Sequence, residues 1–284
     1  MSLLNCDRCF LNILRIGSLT SGFIVALIFL FVGVESWPAL DDKPFKFFSD
    51  AVWNPADGEF NLTPMVVGSL AVTSLAIAIA VPISFLVATF YTGDSHPLIR
   101  KIVRTIIEIF NGIPSVLFGF WGLVAIVPQL YKVSPPGVNM LSASIVLTLM
   151  LIPTIAIFIG SAIEASPKEW RLGAHALGID QRQFALRILL PGIKAQILTA
   201  VLIGVGRAIG ETMAVLMVAG NIIKVPLSVF DPVRTLTSNI ALEMAYAMDE
   251  HRAALFTSGL ILLIVVSILS LITRYQDKKG LYAS

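Results

Sequence analysis

The sequence predicts an all-α polytopic membrane protein with six transmembrane helices, and three observations carry that prediction. Of the 284 residues 56% are hydrophobic and only 13% are charged, and the mean hydropathy is +0.86, too apolar for a soluble domain of ordinary composition. Six separate stretches, 16–34, 65–91, 109–131, 141–163, 195–218 and 253–272, are long and apolar enough to cross a bilayer. The basic residues between them alternate, thirteen on one side against six on the other. That bias puts the richer side, with both termini, in the cytoplasm. The net charge of +2 is a topology signal and gives no support to nucleic-acid binding.

The first span follows Arg8 and Arg15. Its apolar core is longer than a typical signal-peptide core and no small-x-small cleavage site follows, so it is expected to stay attached as an anchor. The loop over 35–64 carries Glu35, Asp41, Asp42, Asp50, Asp57 and Glu59 and suits an exported face. Span two leads to Arg100, Lys101 and Arg104, on the basic side. Span three begins with Asn111 and Ser115 beside Gly112 and Pro114, a helix break where polar groups can line a path. Asn111 reads equally well as a helix–helix hydrogen-bonding residue.

After span four comes a connection of 31 residues, 164–194, with its own helix punctuation. Ser166, Pro167 and Glu169 have the form of an N-cap, a first-turn proline and the acid of a capping box. Gly178 ends that helix as a left-handed C-cap, and Asp180 with Gln183 caps a second helix running to Pro191, with Phe184 and Ile188 on one face. The spacing therefore predicts a cytoplasmic helical hairpin. It either docks a partner or lies flat on the lipid surface.

Span five is the most informative. Arg207 and Glu211 lie inside it, with Arg207 roughly 18 Å along the helix axis and so near mid-membrane. One charge there costs about 2.5 to 3.5 kcal/mol by insertion scales, which is why membrane proteins bury such groups in the bundle or turn them to water. Four residues apart on one helix, the two side chains are expected to pair, with Gly204, Gly206 and Gly210 leaving room for a helix or a solute. Two readings stand, a pair that locks helices together or a solute contact. Thr212 either lines the same path or bonds its own backbone.

Three other patterns lead elsewhere. Cys6 and Cys9 make half a zinc site at most and read as plain thiols. The glycines at 204, 206 and 210 have the wrong spacing and context for a dinucleotide fingerprint. His96, His175 and His251 are scattered over three connections, so neither a metal site nor an enzyme active site is expected.

A family resemblance follows from three runs of residues. Gly178, nine residues, then Ile188, Leu189, Leu190 and Pro191 resembles the cytoplasmic loop of permease subunits in bacterial ABC importers, whose coupling helix docks on the ATPase. The leading Glu-Ala-Ala of that loop falls on Leu172, Gly173 and Ala174, so its acidic residue is absent. The run GVGRAIGETMAVLMVAGN over 204–221 resembles the signature of phosphate importer permeases, and NGIPSVLFGFWGL over 111–123 that of their C-type subunit.

The resemblance implies an importer permease core of the MetI-like kind over 65–284, with a coupling loop at 164–194, preceded by an anchor helix and external loop over 1–64. It implies a bacterial inner-membrane location, a sister A-type permease, two ATPase subunits carrying ATP and magnesium, an external phosphate-binding protein, and lipid around the spans. No cofactor is expected on this chain, which lacks a phosphate-binding P-loop. The path residues would be Arg207, Glu211, Thr212, Asn111 and Ser115; the ATPase-coupling residues would be Leu172, Gly173, Ala174, Gly178, Ile188, Leu190 and Pro191. The competing readings are a permease for another oxyanion such as sulphate, a self-contained secondary anion transporter with Glu211 carrying a proton, and a channel or scaffold.

Overall fold

The structure, a computed structural model, describes residues 2–41, 46–49, 52–93 and 96–281, with side chains for 14–40, 47–48, 52–93 and 96–275. Cys6 and Cys9 lie outside the described side chains. Helix α1 (Ser2–Asp41) runs past its expected end and through Pro38. A two-stranded hairpin follows, β1 (Trp53–Asn54) against β2 (Glu59–Phe60), with Trp53 opposite Phe60. Then come α2 (Thr63–Thr92), α3 (Pro97–Gly112), α4 (Ser115–Tyr131) and α5 (Met140–Glu164).

After α5 in the chain come α6 (Lys168–Ala176), α7 (Gln181–Gly192), α8 (Lys194–Gly210), α9 (Met213–Val218), α10 (Leu236–Glu243) and α11 (Asp249–Leu281). Among the described residues four helices, α1, α2, α5 and α11, are long and apolar enough to cross a membrane alone. The number is six when the bent pairs α3–α4 and α7–α8 each count as one span.

Two expected spans are not continuous. The helix over 109–131 breaks at Ile113, where α3 and α4 meet at 95°, because Pro114 lacks an N–H and pushes Ile113 into an extended conformation (ψ 131°). The helix over 195–218 stops at Gly210; Glu211 is extended (φ −70°, ψ 130°) and a new helix begins at Met213.

Helix α5 is the centre of the bundle, with Leu147, Met150, Leu151, Ile155 and Ile159 all buried. Helix α2 packs along it through a buried row of mostly small residues, Val72, Ala76, Ala80, Ser84 and Ala88, which let two backbones approach without a hydrophobic driving force from water. Polar side chains stitch this contact: Ser84 Oγ donates to the Ile152 carbonyl at 3.1 Å and the Tyr91 hydroxyl to that of Ala156 at 3.0 Å. Gly160 leaves no room for a Cβ against the Tyr91 hydroxyl. Helix α1 is exposed along its apolar length and docks on α11 at one end, where Arg252 lies 3.3 Å from Glu35 and Phe31 meets Phe256 edge to face.

Candidate functional site

Arg207 stands in the last turn of α8, half-buried. Its Nη1 donates to Thr154 Oγ1 at 2.7 Å and to Asn111 Oδ1 at 3.1 Å, and the Thr154 hydroxyl donates to the same Asn111 oxygen at 2.7 Å. Three elements thus converge: the end of α3, the middle of α5 one residue after Pro153, and the end of α8. Among the described residues, every hydrogen bond of Arg207 goes through Nη1. The Nε–Nη2 edge keeps its donors for another group, and a guanidinium presents that edge as a fork matched to two oxygens of one oxyanion. The site is also roomy on the α8 face, since a Cβ added at Gly206 or Gly210 would meet nothing within 4 Å. Gly204 differs: it is a close-packing glycine, held against Ile155.

The expected Arg207–Glu211 pair does not form; among the described residues the two make no ion pair within 4 Å. Four-residue spacing brings side chains together only while the helix continues, and here it ends between them. Glu211 turns to the next helix instead, its Oε1 accepting from the Ala214 N–H at 3.1 Å. A carboxylate there satisfies an orphan amide at the start of α9. The Glu211 carbonyl accepts from the Thr237 hydroxyl at 2.8 Å. Thr212 bonds its own backbone, reaching the Gly210 carbonyl at 3.4 Å. Ser115 opens α4, across the Gly112–Pro114 break from Asn111.

The hairpin of α6 and α7 forms as the punctuation predicts, with one correction. Asp180 Oδ1 accepts from the Gln183 N–H at 2.7 Å and Gly178 has φ +66°, but Ser166 caps nothing. Its hydroxyl donates back to the Ile163 carbonyl at 2.7 Å, and α6 starts from Pro167 without a side-chain cap. The hairpin is joined to the end of α2: Arg171 Nη2 donates to the Thr92 carbonyl at 3.3 Å, and Trp170 fills the space above Gly192. Leu172, Gly173, Gly178 and Pro191 are exposed, Ile188 and Leu190 half-buried, and Ala174 buried. The apolar exposure is concentrated at Leu172 and Leu177, 68% and 78% exposed, a projecting surface suited to a partner.

Thr154 was not expected, although a threonine beside a mid-span proline is a visible cue. A second unexpected feature lies at the opposite end from the hairpin. Glu243 is buried and accepts from three side chains: Arg234 Nη1 at 2.5 Å on one oxygen, and Trp53 Nε1 at 2.9 Å with His251 Nε2 at 2.8 Å on the other. His251 also stacks near Phe60. Beyond it, Asp231 gathers Lys224 Nζ and the amides of Leu227 and Ser228, and this shell, Lys224 first, draws its carboxyl down to about 2.

The chain is similar to the probable ABC transporter permease protein YqgH of Bacillus subtilis (strain 168), 36% identical over 263 residues, 90% of this chain and 85% of that one. It is similar to the phosphate transport system permease protein PstC of Pasteurella multocida (strain Pm70), 31% identical over 294 residues, 92% of each chain. Among solved structures, a chain of the bacterial alginate ABC transporter in complex with alginate pentasaccharide-bound periplasmic protein shares its fold, with a TM-score of 0.65 at 16% identity over 94% of each chain. Residues 80–280, which carry both helix breaks and the hairpin, match the binding-protein-dependent transport system inner membrane component; the chain belongs to that family and is a multi-pass inner-membrane permease subunit of an ABC transporter.

Proposed function

We propose that this chain is the C-type permease subunit of an importer that moves inorganic phosphate into the cytoplasm at the expense of ATP hydrolysed by partner subunits. The observation that carries the reading is Arg207. Among the described residues its Nη1 is engaged by Thr154 and Asn111 while its Nε–Nη2 edge keeps its donors, and its helix neighbours Gly206 and Gly210 add no side-chain bulk. A tetrahedral oxyanion meets that edge with two charge-assisted hydrogen bonds. Thr154 and Asn111 hold the guanidinium in place and spread its charge, so the anion is gripped without being trapped. Glu211 acts at one remove, by stabilising the start of α9, and Thr212 and Ser115 border the two breaks.

Both termini face the cytoplasm, following the distribution of basic residues. The hairpin then lies on the cytoplasmic side, where Leu172, Leu177 and Gly178 meet an ATPase subunit and Ala174, Ile188, Leu190 and Pro191 shape the surface that carries them. A sister A-type permease completes the pore, two ATPase subunits bind below, and an external phosphate-binding protein delivers the anion. Residues 1–64 are an anchor and external loop added to a transporting core over 65–284. The phosphate specificity of this proposal draws on the PstC relative. Uptake of labelled phosphate, with labelled sulphate as the second arm, in cells lacking other transporters for both tests it: phosphate uptake dependent on this chain is expected, and dependence of sulphate uptake alone would overturn it.

A further inference from the structure

We infer that Thr237 is a positioning residue for the break at Glu211, and that the buried Glu243 cluster holds α10 to that task. This rests on the reading that Arg207 and the break beside it lie on the transport path. An extended residue in mid-helix leaves backbone groups without helical partners, and in a membrane each of these needs a substitute. At Glu211 the substitutes are specific: its N–H returns to the Ala208 carbonyl at 3.2 Å, and its carbonyl accepts from the Thr237 hydroxyl at 2.8 Å. The second bond comes from a different helix, 26 residues away. The position of α10 therefore sets where the break sits.

Helix α10 is fastened at both ends. At its start the Leu236 N–H donates to Ser69 Oγ of α2 at 2.9 Å. At its end Glu243 enters the cluster in which Arg234, Trp53 and His251 all donate to one carboxylate. Arg234 extends the fastening, with Nε on the Asn221 carbonyl at 3.0 Å and Nη1 on Asn239 Oδ1 at 3.0 Å. The cluster therefore ties the β-hairpin, the segment after α9, α10 and the start of α11 into one block.

Buried ion pairs are poor stabilisers relative to apolar packing, and their best-attested use is to specify one arrangement among several. Here the arrangement specified is that of four chain segments on one side of the Glu211 break. Among the described residues the hydrogen bonds of the Glu243 side chain go to Arg234, Trp53 and His251 and none to Arg207, so the cluster acts on the path through α10 and the Thr237 hydroxyl.

The test compares Thr237→Val, which keeps the shape and removes the donor, with Thr237→Ser, which keeps the donor, and with the remote Trp53→Phe. Maximal rate and half-saturating concentration are measured for labelled phosphate uptake in cells, beside the amount of chain in the membrane and of ATPase subunit recovered with it. Thr237→Val is expected to lower the maximal rate about tenfold with half-saturation unchanged, and Thr237→Ser to restore it to within about twofold. Trp53→Phe is expected to lower the rate about threefold at normal assembly, so the inference stays open to refutation even if Thr237→Val fails to assemble. Parental uptake by Thr237→Val or by Trp53→Phe, with Arg207→Gln inactive, overturns this inference alone. Parental uptake by Arg207→Gln overturns the transport-path reading on which it rests.

Discussion

Nη1 of Arg207 lies 2.7 Å from Oγ1 of Thr154, a hydroxyl placed one residue after Pro153 on the most buried helix of the protein. Thr154 also donates to Asn111, so one side chain fixes both the cation and the amide that faces it. Thr154→Val keeps the volume and removes the bridge. Phosphate uptake is expected to fall about tenfold at normal assembly, with Thr154→Ser close to the parent. Unchanged uptake by Thr154→Val would mean that Arg207 needs no such support.

Gly160 faces the Tyr91 ring with no space for a Cβ. Gly160→Ala is expected to destabilise the packing of α2 on α5 by about 1 to 3 kcal/mol, the usual cost of overfilling a packed site. Thermal unfolding of the purified protein measures it, and in a double-mutant cycle Gly160→Ala is expected to cost less in a Tyr91→Ala background than in the parent, because the ring it clashes with is gone.

Gly178 combines φ +66° with open space around its missing Cβ, so backbone strain alone opposes a side chain there. Gly178→Val and Gly178→Asp are expected to insert normally yet lose uptake and recover less ATPase subunit on purification, and Gly178→Asn, which tolerates left-handed backbone better, is expected to be milder. Full ATPase recovery with all three would remove the hairpin from the docking role.

Asp231 provides a pH prediction. Its folded pKa of about 2 lies below the ordinary 3.8, so the contribution of this carboxylate is present above the unfolded value and is lost as pH falls through the folded one. The loop over 224–231 is expected to resist pepsin at pH near 4, whereas Asp231→Asn, lacking the charge, is cut there at Leu227, which is 95% exposed. Equal resistance of the two proteins would show that Asp231 does not hold the loop.

What was legible in the sequence was local. The break at Ile113 is announced by Pro114, and the hairpin by Gly178 and Asp180, because each acts through its own backbone geometry or that of the next few residues. The break at Glu211 has no proline to announce it. Glutamate is a good helix former, and its extended conformation is held by the Thr237 hydroxyl from 26 residues away. Local spacing therefore predicts a helical pairing with Arg207, and a contact distant in sequence overrides it. The Glu243 cluster joins side chains up to 190 residues apart, and nothing in the spacing of Trp53, Arg234 and His251 marks them as neighbours.

The most direct test of the central claim is labelled phosphate uptake by Arg207→Gln in cells lacking other phosphate transporters, alongside the quantity of chain and of partner subunits in the membrane. Glutamine keeps a neutral polar side chain at this position but removes the charge and the fork that meets the anion. The expected result is uptake at the background of cells without the chain, with assembly intact. Uptake near the parental rate would contradict the assignment and leave Arg207 as a structural link between α3, α5 and α8.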